Sequence, residues 1–534
     1  MPVCWPLAHS TDQPPRSLAM TRICARSLVF SGALARLAVL TATLVVLAEP
    51  LWSQRSAKIN DKDCDGFADI VIGRPKEDIG AFIDAGAATA LYGSMTGLTT
   101  ADSEDLSMAV LGSTLAAGDF FGASVTWGYF NDDEIADTSI GVPGRDGFFA
   151  NEGLVAVVYG QLNTGLLPSP IVEFIPATAT PAQAGAQFGR VMTSGDFNGD
   201  GRDDLAIGIP LQNVGGAVDA GAVEVWYGSA GGLGSPESWH QNATPMILDQ
   251  PEPGDRFGAA LASGDFNGDG VDDLAIGVPN EETGAFTDSG AVCILYGSMM
   301  TGLTDTNNQL LTAAGANPQR GAKFGAALAG GNFGNGSADD LAIGIPMSDV
   351  GAASDAGAVE VVYGSGAGLS GAERWDQSSA GAGISRAGDH FGAGLSSEDY
   401  DVDGFRDIVV GIPRKNAVGV PDCGSVCVMF GAVGGFSGAG SVQIHSSACG
   451  IEASAQFGYD IVSSDFDGDG DVDICIGIPL DDVAGAMDSG SVEVLYWDDT
   501  AGIFTGATCF DQATPGMASD GAQAGDAFGG ALEQ

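Results

Sequence analysis

The segment Asp196-Phe197-Asn198-Gly199-Asp200-Gly201-Arg202-Asp203-Asp204 puts oxygen-bearing side chains at positions 1, 3, 5 and 9 of a nine-residue loop, with glycine at position 6. Alternate carboxylates on a tight turn converge on one point, and the glycine lets the chain turn sharply. Position 7 can add its backbone carbonyl, and the last aspartate can bind through both oxygens. Oxygen donors without nitrogen or sulfur select calcium over transition metals, and a flexible carboxylate loop does not impose the small octahedron that magnesium demands. The competing reading of one such copy is an Asx-rich hairpin that binds nothing.

Recurrence separates the two readings. The full ligand set appears in five loops: Asp61, Asp63, Asp65, Asp69; Asp196, Asn198, Asp200, Asp204; Asp265, Asn267, Asp269, Asp273; Asp399, Asp401, Asp403, Asp407; and Asp465, Asp467, Asp469, Asp473. The position-7 carbonyls belong to Phe67, Arg202, Val271, Phe405 and Asp471. Four crowded oxygen ligands, mostly carboxylates, repel one another unless a cation offsets them, so about five calcium sites are expected. Two further copies depart from the pattern. Tyr129 and Glu134 replace the first ligand and the glycine in one, where Asn131, Asp133 and Asp137 remain. Asn332, Gly334 and Gly336 leave Asp340 as the clear carboxylate of the other, which is expected to turn the chain without an ion.

These loops need a repeated scaffold. Their first positions, 61, 129, 196, 265, 332, 399 and 465, step by 66 to 69 residues. A Phe-Gly pair starts eight residues before each of the last six, at Phe121, Phe188, Phe257, Phe324, Phe391 and Phe457. Each loop leads into a short apolar run ending in Gly-x-Pro, as in Ile207 to Pro210. An Asp-x-Gly such as Asp219-Ala220-Gly221 and a β-branched run ending in Tyr-Gly follow. Each unit reads as three clear strands and a vaguer fourth, and no long segment has helical periodicity. Seven such units predict an all-β fold, a seven-bladed β-propeller of four-stranded antiparallel blades; a linear solenoid would need capping units. Small residues such as Ala206, Gly208 and Ala222 suit inner strands beside a central channel. The repeated Phe and the strand-end Tyr92, Tyr159, Tyr227, Tyr296 and Tyr363 read as packing residues.

Phe-Gly, DxDxDGxxD and Gly-x-Pro in fixed order resemble the FG-GAP repeats of integrin α-subunit propellers. The resemblance covers roughly residues 57–534. It implies seven blades with calcium loops between the first and second strands. The leg-like domains, inserted domain and membrane helix of an integrin have no counterpart here, so the resemblance implies the module rather than integrin signalling. Similar repeats occur in secreted bacterial proteins and as accessory modules of extracellular enzymes.

Composition narrows the partners. Asp and Glu number 69 against 20 Lys and Arg, a net charge of −49, which excludes a basic nucleic-acid footprint. Arg22, Arg26 and Arg36 precede an apolar run from Leu37 to Ala48, too short to span a membrane comfortably. Residues 1–56 are therefore expected to be a signal peptide and leader, and 57–534 the propeller, secreted or at the cell surface and without a membrane span once mature. Removing Cys4 and Cys24 with the leader leaves seven cysteines, so at least one is a free thiol or pairs between molecules. The histidines His9, His240, His390 and His445 lie in unrelated contexts, and no nucleophile elbow appears.

The sequence reading is a calcium-binding adhesion or ligand-binding module for a protein or glycan, with an extracellular polysaccharide-active enzyme or a structural surface protein as alternatives. The connections opposite the metal loops are the expected binding face. The first unit lacks a Phe-Gly strand of its own, and Phe528-Gly529-Gly530-Ala531-Leu532 supplies one at the other end of the chain. Pairing of that strand with the first blade is expected to close the ring.

Overall fold

The computed structural model describes residues 60–534 apart from 168–170, 177, 179–182, 243–248, 314–317 and the single positions 335, 418, 439, 500 and 520. The expected leader lies outside the described residues. Twenty-eight strands form seven four-stranded antiparallel sheets, and no helix occurs among the described residues. The chain is the predicted seven-bladed propeller.

The fourth blade serves as the pattern. Its strands are Ala260–Gly264, Asp273–Val278, Ala291–Tyr296 and Thr304–Leu311, joined in that order. The middle two are buried along their whole length, because neighbouring blades cover both faces. That explains their unbroken apolar, β-branched composition. The fourth strand mixes exposed and half-buried residues, which is why its sequence signal is weak.

Neighbouring blades meet through their first strands, which lie innermost. Serine hydroxyls stitch them together: Ser194 donates to the Trp127 carbonyl (2.6 Å) and Ser263 to the Ser194 carbonyl (2.7 Å). The expectation for Ala206 and Gly208 is thereby corrected. Both lie on the second strand of the third blade, Asp204–Ile209, and Ala222 opens its third strand. Small size there serves contact between blades, since a Cβ on Gly208 would overlap the Gly258 carbonyl oxygen of the next blade.

That contact accounts for both halves of Phe-Gly. Phe257 is fully buried and forms a parallel bridge with Gly221, the glycine of the preceding blade's Asp-x-Gly. Gly258 donates its N–H to Gly277 at 3.1 Å. The same Phe-to-Gly bridge recurs at all seven junctions, from Gly86 with Phe121 to Gly490 with Phe528.

The seventh blade meets the first at a seam of this kind. The short strand Ala531–Leu532 pairs antiparallel with Ile70–Arg74, Ile72 opposite Leu532 and Gly73 opposite Ala531. Both edges of the ring are consumed by this pairing.

The seven loops between first and second strands share one face. Turns between third and fourth strands back onto them, as where the Met300 N–H donates to the Asn198 carbonyl (2.6 Å). The connections between second and third strands lie on the other face, against the segments that lead into the next blade: Gly254 donates to the Val218 carbonyl (2.9 Å) and Gly321 to that of Thr287 (3.0 Å).

A disulfide joins Cys449, ahead of the last full blade, to Cys509 in that blade's outer strand. Cys293, Cys423, Cys427 and Cys475 are free and buried.

Candidate metal centres

In each of the five complete loops the position-1 carboxylate accepts the N–H of the position-6 glycine: Asp61 from Gly66 (2.9 Å), Asp196 from Gly201 (2.9 Å), Asp265 from Gly270 (2.8 Å), Asp399 from Gly404 (3.0 Å) and Asp465 from Gly470 (3.1 Å). Those glycines have φ between 88° and 101°, so the sharp turn does require glycine. The position-5 carboxylate accepts the position-7 N–H, as Asp65 does from Phe67 and Asp200 from Arg202, both at 3.0 Å. The same bond forms at Val271, Phe405 and Asp471.

Position 9 is buried in every loop; it opens the second strand in six blades and directly precedes it in the first. One of its oxygens accepts an N–H from the end of the third strand in all seven blades, for instance Asp204 from Gly228 and Asp340 from Gly364, each 2.8 Å. This aspartate thus has a structural task whether or not an ion is present, which explains why Asp137 and Asp340 persist in the two incomplete loops.

Ligand oxygens converge as the spacing predicts. Those of Asp61, Asp63 and Asp69 lie within 4.8 Å of one another, as do those of Asp399, Asp401 and Asp407, and of Asp465, Asp467 and Asp473. In the third and fourth blades position 3 is asparagine, whose amide reaches the position-9 carboxylate: Asn198 to Asp204 at 3.3 Å and Asn267 to Asp273 at 3.4 Å. The other oxygen of the position-9 carboxylate accepts the position-2 N–H, as Asp204 does from Phe197 (2.9 Å) and Asp473 from Phe466 (3.0 Å). The set of hard oxygen donors fits calcium.

Electrostatics point the same way. Burial first, then Asp196 and Asp200, push Asp204 up to about 8 against the Gly228 N–H, which lowers it. Asp273, Asp407 and Asp473 are also pushed up to about 8, by burial above all and then by their loop carboxylates. Asp340, whose loop lacks the other carboxylate ligands, rises through burial only to about 6, whereas Asp137, whose incomplete loop keeps Asp133, is pushed up to about 8 by burial and then by Asp133. The complete loops concentrate negative charge that a cation would relieve.

The incomplete loops solve the turn differently. Asn332 donates its amide to the Gly336 carbonyl (3.1 Å), a side-chain donor in place of an ion ligand. In the second loop Glu134 takes the glycine's place at φ 62°. The Arg202 guanidinium pairs with Asp200 (3.0 Å) and with Asp132 of the second loop (2.7 Å), tying an incomplete loop to a complete one.

Two arrangements escaped the sequence reading. Loops of adjacent blades are hydrogen-bonded: the position-8 N–H donates to the position-1 carbonyl of the preceding blade, as Asp203 to Tyr129 (2.9 Å), Asp272 to Asp196 (3.2 Å) and Asp339 to Asp265 (2.8 Å). The Asp-Asp endings Asp203-Asp204, Asp272-Asp273 and Asp339-Asp340 were the available signal. The strand-end tyrosines are also more than packing. Tyr227 donates to Glu237 (2.9 Å) and accepts the Leu303 N–H of the next blade (3.0 Å); Tyr92 does the same with Glu104 and Leu166, and Tyr159 with Glu173 and Leu233. Tyr496 accepts the Leu98 N–H (3.1 Å) across the seam. The recurring Tyr-Gly followed by Gly-Leu carried that information.

Comparison with known proteins agrees with this architecture. The family model described as FG-GAP repeat matches residues 188–226 and 257–295, which include the third and fourth metal loops. Human phosphatidylinositol-glycan-specific phospholipase D is 34% identical over 233 residues, 43% of this chain and 27% of that protein. Integrin alpha-PS2 of Drosophila melanogaster is 32% identical over 43% of this chain and 15% of its own length, and integrin alpha-5 of Xenopus laevis 31% over 41% and 19%. The alignments thus span less than a third of each of these relatives. The chain is thus a seven-bladed β-propeller that carries FG-GAP repeats at residues 188–226 and 257–295 and is similar over part of its length to integrin α subunits and to phosphatidylinositol-glycan-specific phospholipase D.

Proposed function

We propose that the chain is a secreted or cell-surface, calcium-stabilised propeller that binds a protein or glycan partner without catalysis, the propeller beginning near residue 57 after a leader. Calcium would sit in the five complete loops, and the opposite face would meet the partner. The observation that carries the binding face is a set of apolar side chains exposed at the tips of its second-to-third-strand connections: Phe82, Ile83, Phe148, Phe149, Val218, Phe286 and Met487. Phe148 is 90% exposed, a cost in water that a partner would remove. Loops on a rigid scaffold are where binding residues concentrate. The integrin relatives favour this reading. No helix among the described residues is long and apolar enough to cross a membrane.

The phospholipase D relatives favour a second reading, in which the propeller is the scaffold or accessory module of an extracellular enzyme. An array of glycans and extracellular proteins, probed with the full chain in calcium and in chelator, tests both. Calcium-dependent capture without turnover, lost in F148S/F286S, is the expected result. Turnover of a captured glycan would favour the enzyme, and capture unaffected by the substitutions would remove the assigned face.

A further inference from the structure

On the face opposite the metal loops, the residue two places after the Pro of Gly-x-Pro lies beside the segment that leads into Phe-Gly; it is buried in six blades and half-buried in the second. In the second blade Arg145 fills this place and pairs with buried Asp119 at 2.8 Å. In the sixth, the Lys415 ammonium bonds to the Gln377 side-chain oxygen, while the Gln377 amide donates to buried Asp389 (2.8 Å). In the first, the residue is Glu77, neutralised by Arg74 at 2.7 Å. In these three blades the buried carboxylate here has a fixed cationic side chain beside it.

The seventh blade's buried Asp481 pairs with no lysine or arginine among the described residues and accepts the Ser491 hydroxyl instead (2.7 Å); the fourth blade departs further. Its residue is Glu281, its Phe-Gly segment supplies Asp255, and both are 2% exposed. With Glu252 at the mouth, their carboxylate oxygens lie within 4.8 Å of one another. Among the described residues no lysine or arginine pairs with any of the three. Gln241, from the end of the third blade's outer strand, donates its amide to Glu281 (2.8 Å) and is 3% exposed. The oxygen of the same amide has no hydrogen-bond partner. Where the sixth blade aims the corresponding glutamine oxygen at the Lys415 ammonium, the fourth has two buried acids, an unmet oxygen donor and no cation.

We propose that Glu252, Asp255, Glu281 and the Gln241 side-chain oxygen bind one hard divalent cation, such as calcium, which pins the third blade to the fourth. Four oxygen donors and no nitrogen or sulfur suit such an ion, and exposed Glu252 leaves a way in. The site is independent of the nine-residue loops and lies on the other face of the ring.

Crystals of the full chain grown in calcium and soaked in manganese test this directly. An anomalous peak bonded to Glu281 and Asp255, separate from those at the loops, is expected; peaks at the loops with none here would overturn the proposal. A second arm needs no crystal. E281K puts an ammonium where the sixth blade has one, so the variant should bind one calcium fewer per chain by metal analysis, and in chelator should melt above the wild type. E281Q should also lose one calcium, but without that gain. Unchanged calcium content in both variants would overturn the proposal, and if E281K does not fold, E281Q and the wild-type crystals decide.

Discussion

Lys62 and Glu533 form a buried ion pair at 2.8 Å, both side chains fully shielded from water, across the seam of the propeller. Glu533 also accepts the Asn60 amide (3.0 Å), the Val71 N–H (2.9 Å) and the Thr138 hydroxyl (2.8 Å). Lys62 occupies position 2 of its metal loop, where the other six carry a buried Phe or Tyr. The first loop has thus exchanged a core aromatic for a charge whose partner comes from the far end of the chain.

Removing one member of a buried pair strands the other, at about 3–5 kcal/mol. E533Q should therefore lower the melting temperature clearly, and deletion of 526–534 should open the ring and promote aggregation. Differential scanning calorimetry and light scattering check both; a deletion variant with wild-type stability and solubility would contradict closure.

Closure was legible because Phe528-Gly529 stands one strand out of phase with the first loop. The Lys62–Glu533 pair was not, because an ion pair between residues so distant in sequence leaves no local pattern. Ligand positions could be read directly, since side chains at 1, 3, 5 and 9 of a tight turn have few ways to point. The innermost strand was misjudged for a physical reason: small residues mark where backbones approach, and here that is between blades rather than at the axis. The weak fourth strand reflects its exposure, which relaxes the demand for apolar residues.

The tyrosine latch predicts a cost for losing a hydroxyl. Y227F would leave the Leu303 N–H and Glu237 without their shared partner, at about 1–3 kcal/mol. Thermal or urea unfolding of Y227F against wild type measures it. The sixth blade provides a comparison, because Phe430 stands at this place and packs against Trp497 at 6.0 Å between ring centroids.

Asp272 should couple neighbouring metal loops. Its carboxylate accepts the Asp196 N–H at 2.8 Å, and its own N–H donates to the Asp196 carbonyl. D272A removes the first bond only, so amide exchange in residues 196–204 should become faster in calcium, by about fivefold for the roughly 1 kcal/mol that a hydrogen bond contributes. Hydrogen exchange read by mass spectrometry checks this, with the sixth-blade strands as the unaffected control.

On the opposite face, F286S and F148S should leave stability nearly unchanged, because both side chains are exposed. The same substitutions should weaken capture of any partner found on the array. Melting curves and binding on one preparation separate these effects, and a loss of stability comparable to that of Y227F would assign the two side chains to folding instead.

The central claim is that calcium holds the complete loops together. Ligand-linked stabilisation requires the melting temperature to rise with calcium concentration, even for millimolar affinity. Calorimetry of the full chain across a calcium titration, beginning from chelated protein and paired with elemental analysis, is the most direct test. A melting temperature that climbs with calcium, with calcium retained on the protein, is the predicted result; superimposable curves with and without chelator, and no bound metal, would contradict the account.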